Sequence, residues 1–135
     1  MSAHGSAIRA IGAWLPALVM AGVIFLLSAQ SDTRLSPNPA TDWVLRKTAH
    51  LIAYGMLAFL ALFALHVARA PRRTALALLI ASAYAASDEL HQSFVPGRSP
   101  EVRDVLIDVC GAAVGVIAWH ALARVRQRRA SGRGS

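Results

Sequence analysis

TALALLIASAYAASDELHQSFVPGRSPEVRD, residues 74–104, decides how the rest of the chain is read. Its apolar part, 74–87, is too short by itself to separate a buried helix of a soluble core from a membrane span. A helix that starts after Arg73 and rises about 30 Å, at about 1.5 Å per residue, must continue through Asp88, Glu89, His91 and Gln92 before it leaves hydrocarbon. On a membrane reading these groups sit at the margin of the bilayer, and the question is what they face there.

Working outward, the composition favours the membrane. The 135 residues are 56% hydrophobic and only 16% charged, and the mean hydropathy is +0.47, which does not suit an ordinary soluble domain. Apolar stretches at 11–29, 51–67 and 105–123 join 74–87 as candidate spans. The expected fold is all-α, an integral membrane four-helix bundle: 1–10 an N-terminal tail, 11–123 the four-span domain, 124–135 a basic C-terminal tail. A cleaved signal peptide at the first stretch would leave three spans and put an arginine-rich end outside, so that stretch is read as a span.

The net charge of +7 is informative through its distribution. Arg9, then Arg69, Arg72 and Arg73, then Arg124, Arg126, Arg128, Arg129 and Arg133 occupy three segments without an acid, while all the acids lie in the two other loops and the helix ends beside them. The positive-inside rule places both termini and the middle link in the cytoplasm of a plasma membrane protein. Attraction to anionic lipid then accounts for the basic C-terminal run, and no nucleic acid is implied.

Local signals fill in the joints. Pro16 is expected to kink the first helix, Thr41 or Asp42 to cap the second, and Ser99 with Pro100 to open the fourth after a Pro96-Gly97 turn. Residues 1–8 and 130–135 are small and polar, with SGRGS at the end reading as a disordered tail, and Cys110 reads as a small packing residue in the fourth span.

The polar residues of the spans share a level. Counted from the basic end of each helix, Tyr54 and His50 lie about 22 and 28 Å deep, Asp88 and His91 about 22 and 27 Å, Asp108 and Asp104 about 24 and 30 Å, and Ser28 about 28 Å. Spacing of three and four also puts Lys47, His50 and Tyr54 on one helix face, Tyr84, Asp88, His91 and Gln92 on another, and Asp104, Asp108, Gly111 and Gly115 on a third. Three polar stripes at one depth suggest an outward-opening pocket built by the second, third and fourth helices. The competing reading is that the charges only hold the bundle together, for example Asp88 with Lys47 or Asp104 with Arg98. The Gly111 to Gly115 spacing permits close helix approach and is read as internal packing.

IFLLSAQ at the end of the first helix, K-x-x-H-x-x-x-Y in the second, DELHQSFVPGR after the third and D-x-x-x-D-x-x-G-x-x-x-G in the fourth resemble the VanZ-like family of small bacterial membrane proteins. The likeness covers roughly residues 14–118. It departs from the family pattern at Asp108, where asparagine is usual. The resemblance implies a cell-envelope role, and through the family's name a contribution to resistance against the glycopeptide teicoplanin. It names no reaction.

Three functions follow as expectations. The first is binding of a membrane lipid, a lipid-linked peptidoglycan precursor or a glycopeptide, by Lys47, His50, Tyr54, Asp88, Glu89, His91, Gln92, Arg98, Asp104 and Asp108, with Arg103 as a further cation. The second is a membrane hydrolase or transferase using His50, Asp88, Glu89, His91 and Asp104 for acid/base chemistry. HExxH and GxSxG are both missing from the chain, so neither catalytic roles, a metal site nor a cofactor can be assigned. The third is proton or ion translocation through Asp88, His91 and Asp108, which the almost purely apolar inner halves of the helices disfavour.

Overall fold

A computed structural model of the chain describes residues 3–30, 34–97 and 101–132. It is all-helical among these residues: α1 (Ala3–Gly12), α2 (Leu15–Ser28), α3 (Pro39–Val67), α4 (Arg73–Gln92) and α5 (Val102–Ser131). α1 and α2 form one rod broken where Pro16, in the first turn of α2, has no N–H for the Gly12 carbonyl. The chain tightens there, with Trp14 N–H bonded to Ile11 O at 3.1 Å, before α2 resumes.

Three rods, Gly5–Ser28, Pro39–Val67 and Val102–Ser131, are long and apolar enough to cross a membrane, making this a multi-pass membrane protein. α4 has the length, 20 residues, but its last turns carry Asp88, Glu89, His91 and Gln92, which dilute its hydropathy. It lodges against α3 and α5 and buries Asp88, Glu89 and Gln92.

The interior is built from small residues. Ala58, Ala61, Ala77, Ala81 and Ala112 are fully buried around Leu62, whereas Leu18, Leu26, Ile52, Leu79, Leu106 and Ile117 point outward. This suits a lipid solvent, in which close helix approach stabilises more than burying large side chains does. The closest approach joins α3 to α5 at Gly55, Gly111 and Gly115: a Cβ on Gly111 would stand 2.3 Å from Leu51 O. The GxxxG spacing is therefore internal packing.

Two expected joints differ. α3 is capped by Asn38, whose Oδ1 accepts from Ala40 N at 3.0 Å and Thr41 N at 3.3 Å, with Pro39 at the first helical position; neither Thr41 nor Asp42 caps it. Asp42 instead folds the preceding loop back, accepting from Leu35 N at 2.6 Å and Ser36 N at 3.3 Å. Asn38→Ala is expected to cost about 1 kcal/mol, read as a lower melting temperature of the detergent-solubilised protein. The ends also differ: α1 begins at Ala3, and α5 continues as exposed helix through Arg124, Arg126, Arg128 and Arg129 to Ser131. The expected Ser99 and Pro100 cap lies outside the described residues.

The turn between α3 and α4 is closed by Ala70 N to Leu65 O at 2.9 Å and Arg69 N to His66 O at 3.1 Å, with Arg69 in the left-handed region at φ 54°. Its arginines lie at the opposite end of the bundle from Ser28, Asp88 and the start of α5.

Candidate functional site

The shared depth of the polar residues becomes contact at the end away from the arginines. Asp88 is the hub. Its Oδ2 accepts from Ser28 Oγ at 2.8 Å, Tyr54 OH at 3.1 Å and Gln92 Nε2 at 3.1 Å, so one carboxylate ties α2, α3 and α4 together. Asp88 is 4% exposed, and its Oδ1 has no hydrogen-bond partner among the described residues. No described basic side chain pairs with it either. A buried acid with one saturated oxygen and one bare oxygen is a costly arrangement that calls for a further donor.

The other two stripe acids are paired. Lys47 meets Asp104, and His50 Nδ1 lies 3.2 Å from Asp108 Oδ1, both across the α3–α5 seam. The seam's glycines bring the backbones close enough for these contacts. The pairing therefore differs from the sequence-based expectations: Lys47 takes Asp104 and not Asp88, because α5, not α4, lies against that face of α3. Arg98 lies outside the described residues. Glu89 Oε1 accepts from the Glu101 amide at 2.5 Å, fastening the start of α5 to the end of α4. His91 lies against Phe25, the rings tilted by 30° with centroids 4.6 Å apart, and leaves its Nε2 buried without a partner among the described residues; Asp104 Oδ1 is in the same condition. Arg103 is held by Glu101 at 2.8 Å and lies over Trp43 at 5.6 Å.

The cavity is not where the stripes suggested. The groups on α3, α4 and α5 close on one another; a cavity of about 200 Å³ that reaches polar residues of the cluster lies between α2 and α3, and a larger one of about 470 Å³ lies among α2, α3 and α4. Val23, Ile24, Leu27 and Ala53 wall the α2–α3 cavity, and Ser28, Arg46, His50 and Tyr54 supply its polar atoms. α2 touches α3 and only grazes α4, so side chains fill the seam incompletely. Two participants were overlooked in the sequence. Ser28 was placed at the right depth but not in the site. Arg46 lies between Asp42 and His50 at spacings of four, a stripe that marks one face of α3. It meets Asp42 at 2.8 Å, and its Nε is buried with no partner among the described residues.

Chemically, the site offers an imidazole oriented by a buried carboxylate, His50 with Asp108, beside a largely apolar cavity. If Nδ1 carries the proton, Nε2 is a proton acceptor. No group of three or more His, Cys, Asp or Glu is placed to share a metal ion among the described residues.

Residues 13–124 match the family model described as VanZ/LLP1. Neither the curated proteins nor the solved structures give a match.

Proposed function

The chain belongs to the VanZ/LLP1 family, and we propose that it is a binding protein of the bacterial cell envelope. It lies in the plasma membrane with its arginine-rich ends in the cytoplasm and its polar cluster near the outer face. There it engages a lipid, a lipid-linked peptidoglycan precursor or a lipophilic glycopeptide, and contributes to resistance against teicoplanin-type antibiotics. The observation that carries this reading is the bare Oδ1 of buried Asp88, whose other oxygen is bonded by Ser28 and Tyr54, two residues that line the α2–α3 cavity. Assembly of three helices needs only the saturated oxygen.

The test separates binding from assembly. Asp88→Asn and His91→Ala are expected to abolish the teicoplanin phenotype while membrane abundance stays near that of wild type. Loss of abundance in both would assign these residues to assembly alone. A second reading, a membrane hydrolase or transferase acting on a lipid-linked substrate, is favoured by His50, which lines the same cavity and is paired with Asp108 behind it. Turnover of a lipid-linked precursor that stops in His50→Gln would select it over stoichiometric binding.

A further inference from the structure

The binding reading leaves the ligand's chemistry open, and the cations at the polar end of the bundle narrow it. Lys47 is engaged by Asp104, and Arg103 by Glu101 and the Trp43 ring. Arg46 is different. Asp42 holds it through one terminal nitrogen, Nη2, at 2.8 Å, leaving Nε buried and without a partner among the described residues. Asp42 is itself occupied, because its other oxygen accepts the amides of Leu35 and Ser36. The acid thus fixes the guanidinium in place and does not use up its donors, of which a guanidinium has five. Beyond Arg46 the cavity follows α2 from Leu27 to Met20, about 10 Å along the helix axis. Its walls are apolar along that length, an elongated slot of the kind a segment of one hydrocarbon chain fills.

Resting on the binding reading above, we infer that the α2–α3 cavity takes an amphiphile with a phosphate or carboxylate head, its anion on Arg46 and its chain between α2 and α3. Oxyanions match the paired N–H geometry of a guanidinium. The outward-facing Val23 and Leu27 open the cavity sideways to lipid, so the ligand enters from the bilayer.

The experiment measures binding of farnesyl phosphate, dihexanoyl phosphatidic acid and farnesol to the full-length protein in neutral detergent, by isothermal titration calorimetry. At least one phosphate probe is expected to bind wild type about ten-fold or more tighter than farnesol. Arg46→Gln should erase that preference while farnesol binding persists, and Val23→Phe, which fills the cavity from a half-exposed position, should weaken all three. Thermal melts of both variants establish that they are folded. Preference for farnesyl phosphate assigns an isoprenoid carrier, and preference for phosphatidic acid a glycerophospholipid. Displacement of the probes by inorganic phosphate alone would move the anion from a lipid to solution and overturn the inference. Equal binding of farnesol and both phosphate probes, lost in Val23→Phe, would overturn the head group while leaving the amphiphile cavity standing. No binding of any probe to wild type would overturn the cavity reading as well.

Discussion

Gly115→Ala is expected to leave little folded protein in the membrane, while Gly22→Ala leaves the amount unchanged or higher. A Cβ on Gly115 would stand 1.9 Å from Gly55 O and 2.7 Å from its carbonyl carbon. Both are backbone atoms, so no side chain can rotate away, and α3 and α5 must separate. Separation would also break the Lys47–Asp104 and His50–Asp108 contacts, which span the same seam. The expected cost is about 3 kcal/mol or more, at or beyond the upper end for overpacking. At Gly22 a Cβ meets nothing within 4 Å, and alanine gains helix propensity of up to about 1 kcal/mol. Membrane abundance and melting temperature in detergent check both. Equal melting temperatures for Gly115→Ala and wild type would mean that α3 and α5 are not in this contact.

The glycine seam also marks where the sequence is legible and where it is not. Helical rise is fixed, so counting residues put Ser28, His50, Asp88 and Asp108 at one level, and they do meet there in pairs. Rotation about each helix axis and the choice of neighbour are not local properties. Lys47, about 33 Å from Arg69 by the same count, stands nearer the level of Asp104 than of Asp88, and the Gly55–Gly111–Gly115 approach brings α5 against it so that the two meet. The cavity had no signature at all, since it arises from incomplete packing of α2 on α3, and loose packing requires no particular residue. Arg46 was different: its spacing of four from Asp42 and from His50 was on view in the sequence, but the stripe Lys47, His50, Tyr54 drew the face one residue away.

Asp88→Ala is expected to destabilise the protein nearly as strongly as Gly115→Ala, and Asp88→Asn hardly at all. Alanine removes the acceptor shared by Ser28, Tyr54 and Gln92, and a buried polar group deprived of its partner costs roughly 1–3 kcal/mol. It also frees the end of α2, which among the described residues is tied to α4 by the Ser28–Asp88 bond and, further back, by the 2.6 Å bond from Tyr84 OH to Ala21 O. Asparagine keeps an oxygen in the position that accepts all three donors and replaces only the bare Oδ1 with an amide nitrogen. The two variants therefore separate what the two oxygens do. If melting temperature falls by many degrees in Asp88→Ala and stays near wild type in Asp88→Asn, the saturated oxygen holds the helices, and any loss of phenotype in Asp88→Asn belongs to the bare one. A full phenotype in Asp88→Asn would make the carboxylate a joint between helices and nothing more. An Asp88→Asn protein as unstable as Asp88→Ala would show that the negative charge, not the acceptor, is what the three donors require.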